Sequence, residues 1–479
     1  MEFVVSLLER LGQAGISLLL NPFYYLGVLI VMLQLRKQIF FERRLYSSRI
    51  HSMFNEGIKV VLWGLLGGVI GSLLMAFVGA SLQPLAVIYM WVIALLLVWL
   101  RLRFLCFAYV IGLLGVINTV LNGVPGIDKG ADWYPWIQPL MNLHMPSLLT
   151  LAGIMHIVEA LLIRVQGAQL ATPVFIEGKR GKLIGSYQFQ GLWPVPLFLL
   201  VPTALDGQPL PLTPFFGGET MWASGWMFLA MPVMLGFTDM TVSLTPQRKA
   251  KRTSGQLLVY GVLVTGLALS AEWVPIMVLP AALLTILLHE LLVWYVRWDE
   301  KNRSPIYVHT NRGLTVLGIL PNSPAEELGI RAGECIHKVN GQAVRTKEEL
   351  HQALRLNPAF SRLEIIDLEG QHRFVQRALF EGEHHQLGII LAPDDDAEFY
   401  VVPKKYERLR RFRTSLGQQT KRLRVLDEDA SNVRVPDHAA QHAAARDVGV
   451  RKERVQDHHA QDHGVREDRA RDNGANLPG

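Results

Sequence analysis

Cysteine is nearly absent: the 479 residues hold two, Cys106 and Cys335. So small a count excludes a disulfide framework, and no cysteine cluster exists for a structural metal. Charge is scarce as well, at 18% of the chain, and scarcest in the first 300 residues. Several catalytic signatures are missing. No glycine-rich phosphate loop and no Gly-x-Ser-x-Gly stretch occurs. His289-Glu290 begins like an intramembrane zinc-protease motif, but the second histidine should stand four residues after the first, and position 293 is Val. The accompanying Leu205-Asp206-Gly207 precedes the His-Glu pair instead of following it. These gaps argue against an enzyme and against a resident cofactor. The first residues lack a basic start and a small-residue cleavage site, so no signal peptide is expected.

What the sequence has is long apolar runs. A spanning helix needs about 20 apolar residues. Candidate spans fall at 15–34, 58–80, 84–100, 104–122, 146–163, 191–205, 221–238, 256–271 and 274–296. The expected fold is thus a polytopic α-helical membrane bundle of about 8–9 spans over residues 1–300. The sixth run contains Pro194, Pro196 and Pro202 and could be a broken or re-entrant segment. The second carries Gly64, Gly67, Gly68 and Gly71, which permit close helix packing.

Basic residues arbitrate the orientation. They cluster at Arg36, Lys37, Arg43, Arg44 and Arg49, at Arg101 and Arg103, and at Arg164, Lys179, Arg180 and Lys182. Further clusters are Arg248, Lys249, Lys251 and Arg252, then Arg297, Lys301 and Arg303. The alternate loops carry almost none, so nine spans put every cluster on the cytoplasmic side. The net charge of +6 comes from these loops and from residues 404–424, which gives no reason to expect nucleic acid. Trp133, Tyr134 and Trp136 in the opposite loop read as an interfacial aromatic belt. Inside the spans, His156 and Glu159 share a helix face, and His289 and Glu290 are adjacent. Such residues serve either interhelical hydrogen bonding or a proton or solute pathway.

Residues 304–393 change character. Leu314 to Leu320 is a short apolar run that suits a buried strand. Ser323, Pro324 and Glu326 look like a helix start with a capping box, and Gly329 ends that helix. Glu334 to Val339 is a second strand, and Asn340-Gly341 a tight turn. Thr346 caps a second helix, with Glu349 three residues on and Leu350 and Leu354 on one face. Residues 363–378 form a hairpin about Glu369-Gly370, and Gln386 to Leu391 make the last strand. This pattern resembles bacterial PDZ domains, a small α+β fold. An extended peptide would add to a strand edge. The turn Arg312, Gly313, Leu314, Thr315 and Val316 would present N–H groups to a terminal carboxylate, and Lys347, His351 and Leu354 would line the helix side. The turn is not of Gly-Leu-Gly-Phe type, and a PDZ fold used only for packing is the alternative.

Residues 394–426 alternate Lys404, Lys405, Arg408, Arg410 and Arg411 with Tyr406, Leu409 and Phe412, which gives either an amphipathic helix touching anionic lipid or a solvated linker. From Asp427 to the end there is one leucine and no isoleucine, so residues 427–479 cannot build a core and are expected to be a disordered, low-complexity tail.

A polytopic membrane half followed by one PDZ-like domain, with the start NPFYYLGVLIVMLQLRKQIFFERRLYSSRIHSMFNE, resembles the MinJ family of Gram-positive cell-division proteins. The resemblance covers residues 10–400. It implies a non-enzymatic adaptor at septum and poles that bridges a curvature-binding coiled-coil protein, DivIVA-like, to a division inhibitor, MinD-like. The residues alone give only a membrane-anchored, peptide-binding adaptor. A transporter or protease-related membrane protein with a regulatory PDZ domain is the other class that fits them.

Overall fold

The computed structural model describes residues 2–46, 50, 52–100, 102–125, 129–130, 132–178, 181–203, 225–357, 360–378, 387–394, 400–401 and 433–434. The expected basic linker and low-complexity tail lie almost wholly outside the described residues. The chain forms two compact units, one of residues 1–175 and 184–393, the other of 176–183 and 394–479. In the second, Ile176 pairs with Val401 in parallel, and Tyr400–Val401 pairs with Val433–Arg434 in antiparallel fashion.

The first unit opens with α1 (Glu2–Leu20) and α2 (Pro22–Tyr46). The expected first span, 15–34, is broken between them. Asn21 Oδ1 accepts from Phe23 N, and Pro22 begins the new helix, so the apolar segment long enough to cross a membrane is Pro22–Arg43. There follow α3 (Met53–Val78), α4 (Pro84–Leu100), α5 (Phe107–Gly123), a short α6 (Tyr134–Met141) and α7 (Met145–Gln166). After a sheet come α8 (Pro246–Trp273) and α9 (Val278–Asn302). Among the described residues five helices could cross a membrane by length and composition, and α4 and α5 are shorter apolar helices. Helix α7 is the hub: 72% of its apolar window is buried, against 17% for the apolar window within Pro275–Asn302. The outward faces stay apolar, with Leu95, Trp99, Leu287 and Leu291 exposed, as lipid requires.

The count of eight or nine spans is not confirmed. The described parts of the expected sixth and seventh spans are strands. After β1 (Ala171–Glu177), the long β2 (Leu183–Pro202) and β3 (Trp226–Thr241) pair antiparallel from Tyr187↔Thr241 to Pro202↔Trp226. Pro194, Pro196 and Pro202, with Pro232 opposite Pro196, would each remove a helix hydrogen bond. Inward-facing residues instead recur every second position: Trp193, Val195, Leu197 and Leu199 are fully buried. Helix α3 covers this strand through two glycines. A Cβ on Gly64 would lie 2.3 Å from the Pro194 carbonyl oxygen, and one on Gly68 would lie 2.1 Å from that of Pro196. Helix side chains satisfy backbone groups outside the β2–β3 ladder. Ser72 Oγ accepts from Phe198 N at 2.7 Å, and Gln34 Nε2 donates to Gln190 O at 3.0 Å.

At the base of the hairpin one expected loop cation is buried. Lys249, on α8, reaches Asp239 of β3 at 2.9 Å and Glu300 of α9 at 3.6 Å. Glu300 also accepts from Val242 N, Ser243 N and the hydroxyls of Thr241 and Ser243, so one carboxylate ties the strand end to the last helix.

The domain after α9 has β4 (Leu314–Ile319), α10 (Pro324–Glu327), β5 (Cys335–Val339), β6 (Gln342–Ala343), α11 (Lys347–Arg355), β7 (Phe360–Ile366), β8 (His372–Ala378) and β9 (Ile389–Leu391). The sheet order is β8-β7-β5-β4-β9, with β6 paired to β5. Asn340 (φ 49°) and Gly341 (φ 85°) form the expected turn. Thr346 and Glu349 make the expected capping box. Ser323 does not: its hydroxyl caps nothing, and Glu326 reaches Asn322 N instead, at 2.6 Å. No free linker joins this domain to the helices. Ile306 N donates to Val242 O at 2.9 Å, Gly185 N to Tyr307 O at 2.9 Å, and the Tyr187 hydroxyl to Leu317 O of β4. Tyr307, Leu317 and Ile390 belong to the same core as the hairpin and the helices.

Candidate functional site

An added peptide strand needs a neighbour with unpaired N–H and C=O groups in the plane of the sheet. β4 does not supply them. It pairs with β5 on one side (Leu314↔Ile336, Thr315↔Cys335) and with β9 on the other (Val316↔Leu391, Gly318↔Ile390, Ile319↔Ile389). The N–H groups of the sequence-derived turn are also used internally. Arg312 N donates to Thr310 Oγ1, Gly313 N to Thr310 O, Thr315 N to His309 Nδ1 and Val316 N to Glu334 O. A side chain on Gly313 would meet the Ile336 carbonyl at 2.1 Å, so the chain turns there against β5. Leu314 and Val316 point into the core and only Arg312 is well exposed. Beside them, burial raises the Cys335 thiol pKa. These five residues therefore build the inner strand of the sheet and its approach, and do not line a free edge.

Of the two edge strands of this sheet, β8 and β9, the one beside β4 is β9, which among the described residues pairs with β4 alone. Gly388 O accepts from Leu320 N, and Ala392 N donates to Thr315 O. Backbone groups alternate sides along an antiparallel strand, so those of Ile389 and Leu391 face away from β4. Gly388, at φ +73°, begins the strand where a Cβ would strike Ser323 at 2.3 Å. Leu387, at the start of this segment, shares one core with Leu350, Ala353 and Leu354 of α11, and Ile389 and Leu391 pack against it. Of the expected helix-side residues, Leu354 is buried in that core, while Lys347 and His351 are exposed. The signal for this edge was the hydrophobic-Gly-hydrophobic triplet Leu387-Gly388-Ile389.

The second place where chemistry-bearing groups meet is among the helices. Cys106, the residue before α5, has its Sγ 3.0 Å from His156 Nε2 on α7 and 3.6 Å from His289 Nε2 on α9. Sequence reasoning singled out both histidines, but it paired each with its neighbouring glutamate and left the cysteine out. Glu290 instead bonds Arg103 and, at 2.9 Å, the Tyr109 hydroxyl. Glu159 makes no hydrogen bond or salt bridge among the described residues.

The fold and the sheet define a class: a helical protein of membrane type with a PDZ interaction domain mounted on it. A sequence profile of the PDZ domain matches residues 315–365. The chain is 30% identical to the cell division topological determinant MinJ of Bacillus subtilis (strain 168) over 396 residues, covering 81% of this chain and 96% of that protein. It is 26% identical over 398 residues to a probable cell division topological determinant MinJ of Lacticaseibacillus paracasei, covering 80% and 99%. The chain belongs to the MinJ family of cell division topological determinants.

Proposed function

We propose that this protein is a non-enzymatic, multi-pass membrane adaptor that sites cell division by capturing extended segments of its partners on the free edge of β9, beside α11. The observation that carries this reading is the edge itself: Ile389 and Leu391 direct backbone donors and acceptors outward, next to the core shared with Leu350 and Leu354. The partners are a polar coiled-coil protein, DivIVA-like, and a division inhibitor, MinD-like, held together at septum and poles. Seven apolar helices, α2–α5 and α7–α9, cross the bilayer. Replacing two expected spans by a strand pair leaves the parity unchanged, so the basic clusters still share the cytoplasmic side with the PDZ domain. Basic residues flanking the helices meet anionic lipid on that side.

The test is a fluorescent fusion of the full chain in dividing cells, compared with Ile389→Pro. Proline at an edge position removes one outward N–H and leaves the β4 ladder in place. The expected result is a septal and polar signal for the native chain. The variant should reach the membrane in equal amount, spread evenly and give misplaced septa. An even signal from the native chain in normally dividing cells would sink the proposal. A variant that still concentrates at septa would sink the role given to β9.

A further inference from the structure

We propose that Cys106, His156 and His289 form a binding site for a zinc-class divalent transition-metal ion where α5, α7 and α9 meet. The three donor atoms, one sulfur and two imidazole nitrogens, lie within 4.8 Å of one another. Bonds of about 2.3 Å to sulfur and about 2.0 Å to nitrogen, at tetrahedral angles, put sulfur and nitrogen about 3.5 Å apart. The observed separations of 3.0 and 3.6 Å bracket that value. Both sulfur-to-nitrogen separations thus lie within about 0.5 Å of the value a bound ion would set.

The surroundings orient the ligands as metal sites require. A ligating histidine binds through one ring nitrogen and is held by a hydrogen bond at the other. The other nitrogen of His156, Nδ1, lies 2.6 Å from the Ala152 carbonyl oxygen, an acceptor only. That partner fixes the proton on Nδ1 and leaves the Nε2 lone pair facing Cys106. The Nδ1 of His289 lies 3.0 Å from the Tyr109 hydroxyl, which itself donates to Glu290 at 2.9 Å. With its proton committed to the carboxylate, that hydroxyl accepts from Nδ1, and again Nε2 is left as the ligand. Two independent second contacts thus select the same tautomer and aim both nitrogens at one sulfur.

The donor set names the class of ion. A thiolate with two neutral imidazoles suits a borderline-soft cation such as zinc and does not suit magnesium or calcium, which take oxygen. Among the described residues no fourth such ligand joins the three, so the fourth position is open to water or another donor. The thiol proton leaves on binding, so the ion is held as a thiolate complex and loading releases a proton. A metal here would pin together the start of α5, the hub helix α7 and the helix that carries the PDZ domain.

The test uses the full chain purified in detergent, with bound metal measured after exposure to zinc and gel filtration. One zinc per chain is expected for the native protein and for the control His144→Ala. Cys106→Ser and His289→Ala should retain less than about a tenth of it, and Tyr109→Phe should weaken affinity about 10–100-fold. Cobalt adds a spectroscopic readout taken on the native chain itself. The native chain loaded with cobalt should show a thiolate-to-cobalt charge-transfer band, and Cys106→Ser should lack it. If the native chain shows no such band and no more zinc than Cys106→Ser, the three residues form only an S–H···N hydrogen-bonded cluster and the proposal fails.

Discussion

The membrane-type half and the PDZ domain solve close packing in opposite ways. In the PDZ domain the interior is filled by side chains, with Leu314, Val316, Ile336, Val339, Leu363 and Ile365 buried together around one sheet. In the helical half the decisive contacts come from side chains that are missing. Gly64 and Gly68 let helix α3 lie against the carbonyls of β2, where a single carbon would not fit. The difference follows from the surroundings. Water drives large apolar residues inward, whereas lipid offers no such drive, and backbones must approach to gain dispersion and weak hydrogen bonds.

The sharpest way to break the contrast is Lys249→Ala, which leaves Asp239 and Glu300 facing each other without a cation at the base of the hairpin. Loss of one partner from a buried charge cluster costs about 3–5 kcal/mol. We expect the variant to lose monodisperse yield in detergent, with partial recovery in the double variant with Asp239→Asn. Next is Gly68→Leu, whose Cβ would sit 2.1 Å from a backbone oxygen. Overpacking of this kind costs about 1–3 kcal/mol, readable as a lowered thermal midpoint. Gly266→Ala, with nothing within 4 Å of the new carbon, should leave that midpoint unchanged or raised. In the PDZ domain, Thr346→Ala removes one side of the capping box and should cost about 1 kcal/mol. Amide exchange should quicken at the start of α11 and nowhere in the helical half. The smallest effect concerns Glu364. Its burial works the other way, but hydrogen bonds from His372 and Lys338 hold its carboxyl below the ordinary value. A folded value below the unfolded one, about 4.3, means stability that is present above the unfolded value and is lost as pH falls through the folded one. The gap in denaturation midpoint between the native chain and Glu364→Gln should close as pH drops below about 4.

The PDZ domain was legible in the sequence because its signals are local. Asn340-Gly341, Thr346 with Glu349 and Gly370 each fix a turn or a cap within a few residues. That β9 forms the edge beside β4 was not legible, because β9 comes last in the domain and pairs with the domain's first strand, a choice no window of sequence contains. The hairpin β2–β3 was misread because its apolar content equals that of a span. Its proline positions and its two-residue period distinguished it, and hydropathy records neither. Lys249 looked like one member of a loop cluster, since burial depends on elements drawn from 10 and 51 positions away. The Cys106–His156–His289 cluster escaped for the same reason. Its members are 50 and 183 positions apart along the chain, far outside any ligand-spacing motif.

The contacts at Ile306, Tyr307 and Tyr187 turn the domain after α9 into a fixture with a bearing. A domain on a loose string samples a sphere, and whatever it holds forgets which way the bilayer lies. Here the edge strand keeps one heading relative to the helices beneath it. On the proposed reading, a segment caught on β9 would be presented at a set height and azimuth above the membrane. Many copies standing in one bilayer would hold their cargo in parallel, like pegs in a board, so order in the plane of the membrane becomes order in the layer just above it.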